Sequence, residues 1–183
     1  MGVFPGQLMP FDQERVQEIF EKLGRRGEKL ADQSTEKTVH GFRSSCRRAQ
    51  TLLEEVGTCR GHNEKRLLKL LDRLHKQAGK VRDLDVQIEA LRSLKIPQQP
   101  RQKTQLLQVL SAERVKREKK LAKALDKETL RELRRRAKRA VKKLEVPAGM
   151  EPVEMARHMA AKLTSDPGTL TEEKLHAYRI RAK

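Results

Sequence analysis

Aromatic side chains are scarce in this chain of 183 residues, which contains no Trp, one Tyr and four Phe. Proteins that read single-stranded RNA usually stack bases on exposed aromatic rings, so this scarcity argues against base recognition. It does not argue against recognition of phosphate, which requires only cations and N–H donors. Runs of β-branched residues are also absent, whereas Leu, Ala, Lys, Arg and Glu dominate. This composition predicts an all-α protein.

Targeting segments and a cysteine framework are missing as well. The N-terminal residues MGVFPGQLMPF lack a charged segment followed by a long apolar core, so no signal peptide is predicted. No apolar run approaches the length that crosses a bilayer. Two cysteines, Cys46 and Cys59, do not make a disulfide framework, and Cys59 with His62 is an isolated C-x-x-H pair. We therefore expect a cytoplasmic protein that needs no metal and no cofactor.

Positive charge is the most prominent feature that the chain does have. Its 42 Lys and Arg outnumber 25 Asp and Glu, which gives a formal net charge of +17. Residues 101–145 contain 17 basic and 6 acidic side chains, so they account for +11 of this excess. A charge of this size favours a polyanionic partner, such as nucleic acid, an anionic membrane surface or a phosphate polymer.

Apolar residues recur with a helical period along most of the chain, which predicts long helices in an antiparallel bundle. Three polar residues are expected to cap helices that follow them: Ser34 or Thr35, then Asn63, then Asp126. The segment IPQQP is expected to be a loop. The predicted helices cover residues 11–32, 35–57, 63–94, 101–125 and 127–144, and a further predicted helix has Pro152 in its first turn.

A motif with a histidine occurs twice, as TVHGFRSSCRR from Thr38 to Arg48 and as KLHAYRIRAK from Lys174 to Lys183. An apolar residue, a His, an aromatic, an Arg and a second cation have the same spacing in both copies. Positions i, i+3 and i+7 share a helix face, so each copy forms one row of cations beside an apolar stripe. The alternative is that the rows are ordinary solvated basic faces. The rows are His40, Arg43 and Arg47, and His176, Arg179 and Lys183.

Charged residues also interrupt two apolar stripes. Asp85 shares a face with Val81 and Ala78, where an unpaired carboxylate is costly, so it needs a cation from another helix, Arg114 or Arg43. Arg114 and Arg117 occur within an apolar stripe of their own helix. Since one carboxylate cannot neutralise several cations that face one groove, we expect these arginines to bind an external anion. That stripe consists of Leu106, Leu110, Leu121 and Ala124.

No grouping typical of an enzyme is evident. Asp83 and Asp85 are two residues apart on a predicted helix, so their carboxylates point in nearly opposite directions, with Asp83 facing solvent. His62, His75 and His158 are isolated and are expected to be surface or structural residues. The sequence contains no nucleophile–base triad and no Gly-rich phosphate loop. We therefore expect a protein that is not an enzyme.

The sequences VHGFRSSCRR, GKVRDLDVQIEAL and LHAYRIRAK resemble, in that order, the conserved histidine α-helical domain (CHAD) family. The resemblance extends from about Phe11 to Lys183. It implies two similar helical bundles, each led by a His motif, that bind inorganic polyphosphate in a basic groove or pore without being enzymes. It also implies an association with polyphosphate granules. Some members are fused to a triphosphate-tunnel (CYTH) domain, whose E-x-E-x-K signature is absent here.

The resemblance further implies which residues contact the polymer. Those of the first half are His40, Arg43, Arg47, Arg82, Arg114 and Arg117. Those that begin the second half are His176, Arg179 and Lys183.

The chain departs from the family pattern at three places. Gly41 stands where the family commonly has Asp, and Ala49-Gln50 replaces a Leu-Arg pair. The sequence given ends at Lys183, where the family continues into a second bundle. We therefore expect a half domain, with a flexible lead over residues 1–10, a first bundle over 11–145, and a linker helix with the start of a second bundle over 146–183.

These observations predict a non-catalytic, polyphosphate-binding helical protein. The alternative is an RNA- or ribosome-associated basic helical protein, which explains the charge but not the repeated His motif.

Leu175, Tyr178 and Ala182 form an apolar edge on the last predicted helix. A second chain could cover that edge, so we expect a homodimer that polyphosphate stabilises.

Overall fold

The computed structural model describes residues 12–55, 61–95 and 100–144, which form five α-helices. They belong to one compact unit, Gln13–Glu145. No strand occurs among these residues, so the predicted all-α class is confirmed. None of the described helices combines the length and the apolarity needed to cross a bilayer. The helices are α1 (Gln13–Asp32), α2 (Glu36–Glu55), α3 (His62–Ser93), α4 (Pro100–Ala124) and α5 (Lys127–Lys143).

Two of the predicted helix caps are present. Thr35 precedes α2, and its Oγ1 accepts a hydrogen bond from the Thr38 backbone N–H at 3.2 Å. Thr38 Oγ1 accepts in return from the Thr35 N–H at 2.9 Å, which satisfies two donors that the helix itself leaves free. Asp126 caps α5 by accepting from the Thr129 N–H at 2.7 Å.

The beginnings of α3 and α4 differ from the prediction. Gly61, not Asn63, occupies the N-cap of α3, and Asn63 Nδ2 instead donates to the Arg136 carbonyl of α5 at 3.1 Å. The side chain that was expected to cap its own helix therefore joins two helices. Pro100, predicted to lie in a loop, is the first residue of α4. A proline is tolerated there because the first helical N–H has no partner within the helix.

The helix α1 continues through Gly24 and Gly27, as predicted. A Cβ added at the buried Gly27 would lie 3.1 Å from Leu130 Cδ2 and 3.3 Å from Phe42 Cε2. Both distances are shorter than ordinary carbon–carbon contacts, so glycine at this position lets α2 and α5 approach α1 closely.

Four helices form a closed ring around the core. α1 packs against α2, α2 against α3, α3 against α5, and α5 against α1, whereas α4 packs mainly against α3. Cross-links show antiparallel neighbours: Glu36 and Arg43 of α2 meet Arg82 and His75 of α3, respectively. The largest fully buried side chains are Phe42, Leu23, Leu53, Leu67, Leu71, Leu74, Leu121, Leu133, Val16, Val39, Val81 and Cys46.

Beyond the ring, α3 and α4 continue as a hairpin. The 32 residues of α3 span about 48 Å, against about 30 Å for the 20 residues of α2. Only Leu121 of α4 is buried, while Leu106 is exposed and Leu110 and Ala124 are half-buried, so the predicted stripe on α4 is only partly covered. The exposed large apolar side chains of the described residues all lie on this hairpin: Val86, Leu94, Leu106, Val109 and Val115.

Candidate functional site

The first His motif lies on α2 with its cations beside the buried stripe, as its spacing requires. His40 and Arg47 are exposed, and Arg43 is half-buried. The adjoining apolar residues are fully enclosed and hold the helix against the bundle, so the row of cations sits on a rigid support. These residues are Val39, Phe42, Cys46, Ala49 and Leu53.

Arg43 is the centre of the contact between α2 and α3. Its Nε donates a hydrogen bond to His75 Nε2 at 3.3 Å, and its Nη1 lies 3.6 Å from Asp83 Oδ1. The guanidinium lies over Gly79, where an added Cβ would be 3.7 Å from Arg43 Cζ. Gly79 thus leaves room for the arginine to lie flat against α3.

His75 belongs to the site, although the sequence indicated only an isolated histidine. Its Nε2 accepts from Arg43, so this nitrogen carries no proton in the observed arrangement. Burial lowers the pKa of His75, the charges of Arg43 and Arg47 lower it further, and Asp72 partly opposes them. The helical spacing could have identified His75 as a site residue, because it precedes Arg82 by seven residues and therefore lies on the same face of α3.

Arg43 and one face of α3 line an open cavity of about 400 Å³. We call this cavity the α2–α3 groove. Three of its cations, Arg73, Lys76 and Lys80, were not predicted as site residues, since a single sequence does not show which exposed lysines face a neighbouring helix. The groove is lined by Arg43, Arg73, His75, Lys76, Gln77, Gly79, Lys80 and Asp83.

Arg82 and Arg117 each contact a carboxylate. Arg82 Nη1 binds Glu36 Oε1 at the beginning of α2. Arg117 Nε donates to Glu113 Oε1 at 2.7 Å, one turn earlier on α4. Both guanidinium groups are only partly exposed, so an external anion would have to compete with these acids.

Arg114 is the most strongly held of the predicted site residues. Its Nε donates to Asp85 Oδ1 at 2.6 Å, its Nη1 to Glu118 Oε2 at 2.8 Å, and its Nη2 to the Ser34 carbonyl at 3.2 Å. Asp85 thus has the cation that its buried position required. Burial of the guanidinium opposes its charge, but the hydrogen bonds and charges of Asp85 and Glu118 outweigh it and raise the pKa of Arg114.

The predicted arginines of the first half are therefore largely neutralised. Arg43, Arg82, Arg114 and Arg117 each have at least one carboxylate within ion-pair distance. Among the described residues no such partner is found for Arg47, which is exposed. The partners are Glu36, Asp83, Asp85, Glu113 and Glu118.

Gly41, where the family commonly has Asp, faces Arg26 of α1. Arg26 Nη1 donates to the Gly41 carbonyl and to Ser45 Oγ, each at 2.8 Å. A Cβ at position 41 would lie 3.6 Å from Arg26 Nε, so an aspartate there would be close to this guanidinium. In this chain Arg26 is held by a backbone carbonyl and a hydroxyl.

The densest positive surface is on α5, and none of its residues was predicted as part of the site. Nine residues of α5 are exposed, and all but Glu128 are cations. We call these eight residues the α5 cation face. The net charge of +11 over residues 101–145 indicated a positive surface in this region, but only the burial pattern shows which side chains face outward. They are Lys127, Arg131, Arg134, Arg135, Lys138, Arg139, Lys142 and Lys143.

Several predictions lie outside the described residues. They include the second motif with His176, Arg179 and Lys183, and the apolar edge expected in a homodimer. The lead over 1–10 and the segment 146–183 also lie there, so the predicted domain boundaries stay predictions. In the part of the chain that the structure describes, no cluster of His, Cys, Asp or Glu is arranged to hold a metal ion.

Comparison with known proteins agrees with the resemblance found in the sequence. The family model described as CHAD domain matches residues 14–183. No curated protein matches the chain significantly, and no solved structure does. The match covers nearly the whole sequence, including both His motifs and all five described helices except the first residue of α1. The chain belongs to the CHAD domain family.

Proposed function

We propose that this chain binds inorganic polyphosphate without altering it chemically. The observation that carries the proposal is an excess of positive charge, +17 over the sequence, in a CHAD domain whose described cations lie on packed helices. Arg guanidinium forks, Lys ammonium groups and His N–H donors all suit phosphate oxygens. A repeating anion can meet such cations in succession along a helix.

Burial of the aromatic residues supports a phosphate polymer over single-stranded RNA. Phe20 and Phe42 are the aromatic residues of the described ranges, and both are buried. Neither ring can stack on a base, which is how proteins commonly hold unpaired nucleotides. Contacts from these helices would therefore be made to phosphate groups.

A non-catalytic role is part of the proposal, and two observations support it. Burial raises the pKa of the Cys46 thiol to about 12, so at neutral pH it is protonated and a poor nucleophile. Asp85 is buried against Arg114, whereas Asp83 is largely exposed on another side of α3, so they do not converge on one ligand.

Competition between polyanions tests the proposal. Labelled long-chain polyphosphate would be bound to the chain and then challenged with structured RNA at equal phosphate concentration. We expect RNA to fail to displace the polymer. If RNA displaces it, the alternative of an RNA-associated protein is correct instead. Absence of affinity for either polyanion at moderate salt would contradict both and favour a scaffold for another protein.

The proposal extends to location and assembly. We propose a cytoplasmic chain at polyphosphate granules, which fluorescence microscopy of a tagged protein would test against a granule stain. We also propose a homodimer stabilised by the polymer, on the strength of the apolar edge at Leu175, Tyr178 and Ala182. Light scattering with and without polyphosphate would test it, and a monomer in both conditions would contradict it.

A further inference from the structure

We propose that the α5 cation face is a second polyphosphate-binding surface, opposite the α2–α3 groove, so that one chain bridges two polymer strands. The inference rests on the proposed function, because it assumes that polyphosphate is the ligand. It adds a second site and a consequence, the cross-linking of polymer, that a single groove does not provide.

The charge of this face is largely uncompensated. Among its eight cations, Arg134 pairs with Glu28 of α1. Within the described ranges no ion-pair partner is found for the other seven. The remaining cation of α5, Arg136, is buried and held by Glu132 at 2.7 Å, so that acid is also engaged. An anion approaching this face therefore meets unpaired guanidinium and ammonium groups.

Absence of internal partners favours binding of a polyanion. An external phosphate at Arg82 or Arg117 must displace a carboxylate, which removes part of the gain. At Arg135, Lys138 and Lys142 it displaces only water and small counterions, whose release favours association. These three residues follow one another at i, i+3 and i+7 on one side of the helix. The row from Arg131 to Lys142 extends about 17 Å.

The order of the helices puts this face across the bundle from the α2–α3 groove. In the ring α1–α2–α3–α5, the pair formed by α1 and α5 lies opposite the pair formed by α2 and α3. Outward-facing side chains of opposite pairs point away from each other. One strand lying in the α2–α3 groove therefore cannot also follow α5 without passing around the bundle.

A groove between α1 and α5 adjoins the face and adds a cation from a second helix. It has a volume of about 600 Å³, and Phe20, Ala137 and Val141 contribute to its wall. Four cations line it, Arg25 of α1 and Arg134, Lys138 and Lys142 of α5, against two acids of α1, Glu21 and Glu28. The groove gives the surface a concave edge along which a flexible anionic polymer can be guided.

The test uses the full chain and two charge-matched variants. In the first, Arg135→Gln, Lys138→Gln and Lys142→Gln remove three exposed cations from α5. In the control, Lys119→Gln, Lys120→Gln and Lys123→Gln remove three exposed cations from α4, outside both grooves. Both lower the net charge equally, so a difference between them reflects position. Circular dichroism would verify that all three proteins keep the same helicity.

Bridging is measured with two pools of long-chain polyphosphate, end-labelled with a donor and an acceptor dye. We expect the wild type and the α4 control to produce energy transfer between strands. The α5 variant should lose most of this transfer, while anisotropy still shows that polymer is bound, as expected if the α2–α3 groove holds a strand. Light scattering without polymer and with saturating short-chain polyphosphate identifies any dimer, including one that the polymer stabilises, which could bridge strands by another route.

Two outcomes would overturn the second surface. One is energy transfer in the α5 variant equal to that of the α4 control. The other is loss of all binding in the α5 variant, because the α2–α3 groove would then hold no strand and one chain could not bridge two. Failure of the wild type to bind any polyphosphate would instead contradict the proposed function, so the two failures are distinguishable.

Discussion

The α2–α3 side of the bundle and the α5 cation face are both rich in cations, yet they differ in what those cations contact. On the first, Arg43 and Arg82 meet Asp83 and Glu36. On the second, Arg135, Lys138 and Arg139 are exposed and have no carboxylate partner among the described residues. The positions of the arginines therefore do not by themselves give the net positive charge that a polyanion encounters. That charge depends also on which arginines are paired with a carboxylate.

Arg114 should show the largest effect, and the effect should be on stability. Arg114→Met leaves Asp85 buried without a partner, so we expect the free energy of unfolding to fall by about 3 kcal/mol. Polyphosphate affinity of the folded fraction should change little. Urea denaturation and binding on the same sample would measure both quantities.

Two further variants show whether that loss comes from the buried carboxylate. Arg117→Met breaks a more exposed pair and should cost about 1 kcal/mol or less. The double variant Asp85→Leu with Arg114→Met removes both charges and should recover most of the stability. Weakened binding by folded Arg114→Met would contradict a purely structural role.

The α5 variant described above should have the next largest effect, on the salt dependence of binding. By analogy with single-stranded nucleic acid, each phosphate contact contributes about −0.7 to the slope of log affinity against log salt, so losing three contacts should reduce it by about 2. Unfolding should be unaffected, because these side chains make no internal ion pairs in the described part of the chain. Titrations between about 50 and 200 mM salt would measure the slope. An unchanged slope would mean that α5 contacts no phosphate.

Removing acids from the α2–α3 side should strengthen binding. Glu36→Gln with Asp83→Asn frees Arg82 and Arg43, so we expect polyphosphate affinity to rise by roughly tenfold, in line with the energies of exposed ion pairs. The control is Glu14→Gln with Glu89→Gln, which changes net charge equally at two exposed acids outside the groove. Equal gains in both variants would show that only net charge matters and that the pairing does not.

The smallest effect expected is a pH dependence that His75 confers. Because its pKa is lowered from 6.5 in the folded chain, the unfolded chain binds more protons near this pH. The histidine's contribution to stability is therefore present above pH 6.5 and is lost as pH falls below it. His75→Gln should flatten this acid-side loss in thermal unfolding experiments.

Binding should show the opposite trend with pH. A bound polyanion favours protonated His75, which then releases Arg43 Nε to contact phosphate. Affinity of the wild type should thus increase as pH falls from about 8 to 6, and the increment should be absent in His75→Gln. An identical increment in the variant would show that His75 is not its source.

The local spacing of apolar residues was sufficient to predict the described helices. Apolar spacing predicted five helices whose bounds agree with the structure within about two residues, apart from ends that lie outside the described ranges. Thr35 and Asp126 cap their helices because a hydroxyl or carboxylate there reaches the next free N–H. Asn63 carried the same signal, but its amide instead bonds to Arg136 of α5. Because Arg136 is 73 residues away along the chain, the local spacing of residues around Asn63 cannot predict this contact.

The sequence by itself determined the helical class, the excess of positive charge and the cations that share a helix face, since each depends on composition or on a period of 3.6 residues. Only the tertiary structure decided which cations remain free. Arg82 meets an acid 46 residues away, Arg114 meets one 29 residues away, and His75 faces Arg43 at a separation of 32. The packing order of the helices also decided that α5 lies opposite the α2–α3 groove. Ion pairs between helices and the packing order both depend on which helix faces meet. The periodicity within one helix does not show which other helix packs against it.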